Sequence, residues 1–337
     1  MAATVVIGLD EIERLARTAL VRAGAAEASA ASLAKGIAAA EGDGIASHGL
    51  AYLATYCEHL GCGKVAGQAV PQVARPAPGV VAVDAGTGFA HPAIDAGFDE
   101  LVPLARSQGI AGMAVRNSYN CGVLGYHTER LAQAGLLALG FTNAPASIAP
   151  SGGTRPVVGT NPWSLAVPDG KGGATLVIDQ SASVVAKSEV MKKARAGEPI
   201  PLGWALGPDG QPTTDPAVGL KGTMMPSGGY KGVGAALLVE TMAACLSGAV
   251  LGAHASPFSG TAGGPPRTGQ YFIAIEPGAS SGGAFAERMT ALVAALRAEP
   301  GVHVPGSGRS AARDRSRTAG VAVDRAIADK ARALAGL

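Results

Sequence analysis

Glycine and proline are abundant in this chain, and aromatic residues are scarce. The 337 residues include 49 glycines and 22 prolines but only 2 tryptophans, 6 tyrosines and 6 phenylalanines. The core must therefore consist mainly of Ala, Val, Leu and Ile, with close backbone packing in place of bulky rings. Glycine at this density is typical of tight turns and of backbone that approaches a ligand closely. The length suffices for one large domain or two to three small ones.

Composition and charge exclude several classes of protein. Hydrophobic residues form 47% of the chain and charged residues 15%, which excludes a disordered protein. The net charge of +2 provides no basic face for nucleic acid, so we expect no nucleic-acid partner. The most apolar stretch, residues 233–253, carries Glu240 and is broken at Gly248 and Gly252, and it predicts a buried helix rather than a membrane span. A late cluster of basic residues predicts a solvated tail segment: Arg309, Arg313, Arg315 and Arg317.

The cysteines predict neither a metal centre nor disulfides. No Cys-x-x-Cys pair occurs, and no zinc-ligand spacing links the four residues Cys57, Cys62, Cys121 and Cys245. Scattered thiols in a long chain are typical of a reducing compartment, so we expect a cytoplasmic protein. The N-terminus reaches Asp10 and Glu11 early without a basic region, and it therefore predicts no signal peptide.

Hydrophobic periodicity predicts an α/β fold. Apolar residues with a 3.6-residue period predict three helices within residues 1–63. Further helices are predicted at 92–107, 122–134, 284–298 and 324–334. Short β-branched runs predict strands at 80–83, 110–115, 136–142, 164–167, 175–178 and 271–275. We therefore expect a helical domain of residues 1–70 and 284–337, and an α/β domain of residues 71–283.

The usual nucleotide-binding motifs are absent from the sequence. Gly-x-Gly-x-x-Gly does not occur, because the runs at 61–63 and 86–88 both lack the third glycine. No Gly-x-x-x-x-Gly-Lys-Ser/Thr loop occurs either. A nucleotide site would have to use other loops and helix N-termini that direct N–H groups at phosphate. The segment 143–232 is a candidate, because long loops rich in Gly and Pro often build a site.

His48 has a sequence context that suits acid–base chemistry, although most single histidines are structural. It follows Ser47 at a turn that opens a predicted helix, where Ser47 is placed to be the N-cap. A histidine in the first helical turn lies near the positive helix end, which lowers its pKa. Such a group donates and accepts a proton near neutral pH. His48 is therefore a candidate catalytic residue.

Asp179 and Lys231 each have two interpretations from the residues alone. Asp179 follows the predicted strand 175–178, where a carboxylate serves either a site or a helix N-cap. Lys231 lies in the glycine-rich run 226–232, and it is either an ammonium that meets an anionic ligand or a solvated lysine.

Seven short segments, taken in order, resemble the type 2 malate/L-lactate dehydrogenase family, which is unrelated to the Rossmann-type lactate and malate dehydrogenases. The segments are DGIASHGL at 43–50, NS at 117–118, GGTRPVVGTNP at 152–162, IDQSAS at 178–183, IPLGWA at 200–205, GQPTTDP at 210–216 and PSGGYKG at 226–232. The resemblance spans essentially the whole chain. The family includes sulfolactate and ureidoglycolate dehydrogenases and piperideine-2-carboxylate reductases.

The resemblance implies an oxidoreductase that uses NAD or NADP. It also implies a non-Rossmann cofactor domain with a largely antiparallel sheet, and a homodimer. The implied catalytic residues are the proton donor His48, its neighbour Ser47, and Asp179. The implied cofactor contacts are Gln180, Ser181, Lys231 and a late loop of Pro305, Gly306 and Ser307. Family members often have Glu at the position of Ser307.

Two departures from the family pattern fall where the substrate is expected to bind, near Thr160. The family usually has an arginine for the substrate carboxylate four residues after His48, where this chain has Tyr52. A histidine that is usual after Asn117-Ser118 is replaced by Asn120, which cannot take a proton. Arg267 is a candidate replacement for the missing guanidinium.

The expected reaction is hydride transfer at C2 of a small 2-hydroxy or 2-oxo acid of the malate, lactate or sulfolactate type. Two alternatives stay open: reduction of cyclic imino acids such as pyrroline- or piperideine-2-carboxylate, and a non-catalytic homologue. We expect a small-molecule acid as the partner, with no metal and no membrane.

Overall fold

A computed structural model describes residues 3–337 of the chain. The strands are β1 Thr4–Ile7, β2 Gln72–Ala77, β3 Val80–Asp84, β4 Ile110–Ser118, β5 Leu137–Thr142, β6 Trp163–Pro168, β7 Ala174–Gln180, β8 Ala205–Leu206, β9 Pro212–Thr213, β10 Thr223–Met224, β11 Thr268–Ile275 and β12 Val321–Asp324. The helices are α1 Leu9–Arg22, α2 Glu27–Gly42, α3 Leu50–Gly61, α4 Ala90–Gln108, α5 Leu124–Gln133, α6 Lys187–Ala196, α7 Pro216–Gly219, α8 Tyr230–Glu240, α9 Pro277–Ser281, α10 Phe285–Ala298, α11 Ser307–Ala319 and α12 Arg325–Ala335.

A seven-stranded mixed sheet forms the centre of the fold. Its strand order is β2-β3-β4-β11-β5-β6-β7. The β3–β4 pair is parallel and is connected through α4, while the other neighbouring pairs are antiparallel. The structure therefore confirms the predicted α/β class with a largely antiparallel sheet. Because β7 is the last strand of this order, its end at Gln180 lies at one edge of the sheet.

The two ends of the chain meet in one layer of helices. β1 pairs antiparallel with β12, and α1 packs against α2, α3 and α12. The predicted 3.6-residue stripe of α1 is buried throughout: Ile12, Leu15, Ala16, Ala19 and Leu20. Burying a leucine or isoleucine side chain contributes roughly 1.5–3 kcal/mol, so this stripe stabilises the layer.

The glycines act largely as turn residues, as their number predicts. Twenty-four of them have positive φ angles, which residues with a Cβ adopt only at a cost. They separate elements that are themselves packed from small aliphatic residues.

The apolar stretch 233–253 differs from the predicted buried helix. α8 continues into a π-helical segment, Thr241–Leu246, and the chain then turns. Leu237, Leu238 and Leu246 are each more than half exposed. An apolar face of this kind is a surface that a partner chain would cover, and the homodimer stays a prediction. None of the helices within residues 3–337 has the length and apolar content needed to cross a membrane.

The predicted division into two domains stays a prediction. The helices after residue 284 do not all pack against the same part of the fold. α12 belongs to the layer of α1 and α3. α10 packs on the outer strands of the sheet, where Val293 shares a buried cluster with Val167 of β6 and Leu176 of β7. The segment between them forms α11, which lies against residues from both regions.

Candidate active site

His48 lies in a short 3₁₀ turn between α2 and α3. The predicted N-cap role of Ser47 is wrong, because α3 begins only at Leu50. The N–H of Leu50 donates to Oε1 of the buried Glu41 at 2.8 Å, and this carboxylate replaces the predicted cap. Ser47 instead contacts the histidine ring, with its Oγ 3.1 Å from His48 Nδ1. Nε2 makes no hydrogen bond within residues 3–337, so it is the ring nitrogen available to a substrate.

Burial lowers the pKa of His48 below its ordinary value of 6.5. The charge of Asp179 raises this pKa, and the charge of Arg309 lowers it further. The direction agrees with the sequence prediction, but the cause is different. We expected the positive end of a helix to lower the pKa of His48. Because His48 precedes α3, burial is instead the main cause of the lowered pKa. The imidazole is therefore neutral at pH 7 when no ligand is bound.

Asp179, near the end of β7, is held by two donors. Its Oδ2 accepts hydrogen bonds from the N–H of Gly125 at 2.9 Å and from Arg309 Nη2 at 3.1 Å. A Cβ at Gly125 would lie 2.5 Å from Arg309 Nη1 and 2.8 Å from Asp179 Oδ2, so a larger residue there would displace this pair. Within residues 3–337, Asp179 makes no hydrogen bond to His48. It therefore acts on the histidine through its charge.

The late arginines form the predicted solvated segment only in part, because Arg315 and Arg317 are exposed whereas Arg309 and Arg313 are partly buried. They lie on α11, and the side chain of Arg313 is only 23% exposed. Its guanidinium donates to both oxygens of Asp43 at 2.7 and 2.9 Å and to both oxygens of Glu129 at 2.8 and 2.7 Å. Asp43 lies five residues before His48, and Glu129 lies on α5. α11 thus ties the histidine turn to the helix that also supports Asp179.

The sequence reasoning missed Arg309 and Arg313 as parts of the site. Their spacing of four residues was the available signal, because residues four apart lie on the same face of a helix. Glu41 and Gly125 carry no comparable signal, since their partners come from distant segments.

Tyr52 and Asn120, the two departures from the family pattern, lie near each other. Tyr52 donates its hydroxyl proton to the carbonyl of Phe258 at 3.1 Å. The amide of Asn120 is oriented by the N–H of Gly122, which donates to Oδ1 at 2.6 Å, and it lies near the Tyr52 hydroxyl. Burial raises the pKa of Tyr52, so the phenol stays neutral. Neither side chain therefore supplies the charge of a guanidinium.

A group of buried, hydrogen-bonded side chains packs next to Tyr52. Tyr119 contacts Tyr52 and bonds to His59 Nδ1, while His59 Nε2 donates to the carbonyl of Gly260 at 3.0 Å. Lys64, which is fully buried, donates to the same carbonyl at 2.9 Å. These bonds attach the loop around residue 260 to α3.

A cleft of about 390 Å³ lies beside the end of β7 and the start of α8. Three predicted cofactor residues line it, namely Gln180, Ser181 and Lys231. The two walls are joined by the N–H of Ser227, which donates to the carbonyl of Ala182 at 2.8 Å. The structure therefore brings Lys231 close to Gln180 and Ser181, from which it is separated by about fifty positions in the sequence.

The late loop of Pro305, Gly306 and Ser307 lies against β7. The carbonyl of Pro305 accepts a hydrogen bond from Val177 at 3.1 Å. Gly306 has a φ of +92°, and a Cβ there would lie 3.0 Å from the Val177 nitrogen. Ser307 is exposed and contacts His303. These residues are not among those that line the cleft, and they serve as the start of α11.

Neither Thr160 nor Arg267 makes a hydrogen bond to Tyr52 within residues 3–337. The carbonyl of Thr160 accepts from the N–H of Ala182 at 2.8 Å, next to the cleft residue Ser181. Arg267 is exposed at a φ of +52°, and its carbonyl accepts from Val250. The Arg267 side chain makes no hydrogen bond or ion pair within residues 3–337. Its role as the substitute guanidinium stays a prediction without structural support.

Comparisons with known proteins identify the family of this chain. The family model described as malate/L-lactate dehydrogenase matches residues 7–331. The chain is 43% identical over 329 residues to a (2R)-3-sulfolactate dehydrogenase (NADP(+)) of Chromohalobacter salexigens, with 98% of each chain covered. It is 40% identical over 331 residues to a Δ¹-pyrroline-2-carboxylate reductase of Ancylobacter novellus, with 97% of each covered.

A solved structure shows the same architecture. The Δ¹-piperideine-2-carboxylate reductase of Pseudomonas syringae pvar. tomato superimposes with a TM-score of 0.93 at 34% identity, over 98% of this chain and 100% of the other. Sequence and structure thus match over nearly the full length of both proteins. The chain belongs to the malate/L-lactate dehydrogenase family, a family of NAD(P)-dependent oxidoreductases.

Proposed function

We propose that this protein transfers hydride between NAD(P) and C2 of a small 2-oxo or 2-hydroxy acid, with His48 as the group that gives or takes the proton. The observation that carries the proposal is the setting of His48. Its ring is held on one nitrogen by Ser47, leaves the other nitrogen free, and lies within the field of the Asp179–Arg309 pair. The relative named as a sulfolactate dehydrogenase supports a hydroxy acid as substrate.

The cleft beside β7 has the chemistry that a nicotinamide dinucleotide requires. Gln180 and Ser181 provide neutral hydrogen-bond groups, and Lys231 provides an ammonium for phosphate at the first turn of α8. We infer that these residues hold the dinucleotide, which supplies the hydride when bound. Asp179, whose charge acts on His48, directly precedes Gln180, which lines the cleft.

His48 would act from Nε2. During reduction its protonated ring donates a proton to the oxygen on C2, while the new C–H bond forms at the carbon. Ser47 keeps Nδ1 occupied and the ring oriented. Asp179 stabilises the protonated ring, and Arg309 opposes protonation. A positioned acid–base group of this kind contributes about 10²–10⁴ in rate.

The pH dependence of turnover follows from the direction of the His48 shift. Reduction needs the protonated imidazole, so kcat/KM for reduction is expected to fall as pH rises through an apparent pKa below 6.5. Oxidation needs the neutral ring and is expected to keep its rate above that pKa. Asp179→Asn removes a charge that raises the pKa of His48, so the fall in the rate of reduction is expected to move to lower pH. Arg309→Gln removes a charge that lowers this pKa, so the fall is expected to move to higher pH. Rate profiles between pH 5 and 9 measure both shifts. Shifts in the same direction would contradict this assignment.

Reduction of a cyclic imino acid is the second candidate. The neutral pair at the substrate end, Tyr52 and Asn120, favours it, because the nitrogen of a cyclic imine takes up a proton from water and needs less help from the enzyme. Two relatives reported above are named as reductases of such substrates.

A side-by-side assay separates the candidates. Oxidation of NADH and of NADPH is followed with pyruvate, oxaloacetate, sulfopyruvate, Δ¹-pyrroline-2-carboxylate and Δ¹-piperideine-2-carboxylate. We expect the highest kcat/KM with a 2-oxo acid, by at least about tenfold. A preference for the imines by the same margin would support the second candidate instead. Failure to bind either reduced cofactor would point to a non-catalytic homologue.

A further inference from the structure

Arg309 is a half-buried cation with unused hydrogen-bond donors. Its side chain is 24% exposed, and Nη2 donates to Asp179 at 3.1 Å. Nε and Nη1 have no acceptor within residues 3–337. Arg313, one helical turn later, differs because all three of its nitrogens donate to Asp43 and Glu129. A two-point contact with a planar oxyanion can then use the second N–H of Nη2 together with the N–H of Nε or of Nη1.

Arg309 is also close to the reacting group. α11 packs against the segment before His48, where a Cβ on Gly44 would lie 3.8 Å from the Cβ of Ala312. The Ser316 hydroxyl donates to the carbonyl of Gly42 at 3.1 Å on the same side of the helix. Through Asp179 the guanidinium is fixed to β7, beside the cofactor cleft. The charge of Arg309 also acts on the His48 ring, so an anion bound to this guanidinium would lie near the histidine.

The other candidate cations do not meet these conditions. Tyr52 and Asn120 are neutral, and the Tyr52 proton is already donated to Phe258. Arg267 is exposed on a strained turn. Lys231 lines the cleft at the start of α8.

We propose that Arg309 binds the carboxylate of the substrate and so places C2 beside His48. This inference rests on the proposed function. Asp179 is then a positioning residue, which holds the guanidinium through Nη2. The charges also balance, because Asp179 and the substrate carboxylate are matched by Arg309 and a protonated His48. Binding the acid would favour the protonated ring, since a new negative charge stabilises it.

Oxamate, a carboxylate that resembles pyruvate, provides a test that does not require turnover. Its dissociation constant for the enzyme–NADPH complex is measured by fluorescence titration. Arg309→Gln is expected to weaken oxamate binding by about 10–100-fold, because a charge-assisted hydrogen-bonded pair is lost. The dissociation constant of NADPH is expected to change by less than about threefold. Arg315→Gln, an exposed residue of the same helix, is the matched control and leaves both constants unchanged.

Three results would overturn the inference. These are equal oxamate affinity in Arg309→Gln and wild type, no oxamate binding by wild type, and a loss confined to NADPH, which would assign the guanidinium to a cofactor phosphate. If Arg309→Gln does not fold, Arg309→Lys provides the test instead, because lysine keeps the positive charge but lacks the planar guanidinium that makes two hydrogen bonds. We expect it to bind oxamate with intermediate affinity. His48-dependent turnover with unchanged oxamate binding in Arg309→Gln would refute the inference alone and leave the proposed function standing.

Discussion

His48→Ala is expected to lower turnover at least about 100-fold while the binding of NAD(P)H survives. The loss follows from removal of the free Nε2, which is the proposed proton source in reduction. The proposed cofactor residues Gln180, Ser181 and Lys231 line a cleft that does not include the histidine. Steady-state rates at saturating cofactor measure the first effect, and a fluorescence titration with NADPH measures the second.

Ser47→Ala is the matched control for this prediction. It removes the 3.1 Å contact with Nδ1 but leaves the imidazole in place, so we expect a loss of less than about tenfold. Turnover of His48→Ala near that of wild type would remove the histidine from the mechanism. Weakened NADPH binding in His48→Ala would instead mean that the histidine supports the cofactor.

Arg313→Met is expected to destabilise the folded protein by about 3–5 kcal/mol. The guanidinium is the shared partner of Asp43 and Glu129, whose side chains are 5% and 15% exposed. Removing it leaves two carboxylates partly or fully desolvated without a counter-charge. The free energy of unfolding is obtained from urea titration, followed by a probe in the helical layer and a probe in the sheet.

Arg315→Met provides the comparison, because Arg315 is exposed on the same helix and has no ion pair within residues 3–337. A change of less than about 0.5 kcal/mol is expected there. If the two variants differ by less than 1 kcal/mol or so, the double ion pair does not hold α11 in place. Turnover of Arg313→Met should also fall, since Asp43 begins the segment that carries His48.

Local sequence patterns predicted much of the fold. The stripe of α1 and the β-branched strands β3 and β4 rest on periodicity, which acts over a few residues and survives in the tertiary structure. The segment 233–253 was misjudged because apolar composition does not show which face the fold will cover. α11 was missed because its exposed polar residues have no apolar period.

In the candidate site, too, some residues could be predicted from local sequence and others could not. His48 and Lys231 carry sequence signals of their own, in a short turn and a glycine-rich loop. The cap of α3 was assigned to Ser47 by proximity in sequence, whereas Glu41 reaches it from α2 across nine residues. No local pattern reports such a partner.

The sequence by itself determined the family, the α/β class and the identity of the proton-transfer candidate, because these depend on short motifs and on periodicity. Only the tertiary structure decided which charges surround His48. The Arg309–Asp179 contact joins residues 130 positions apart, and the Arg313–Asp43 contact joins residues 270 positions apart. Coulomb interactions depend on distance in space and on burial, and neither quantity is encoded in the spacing of residues along the chain.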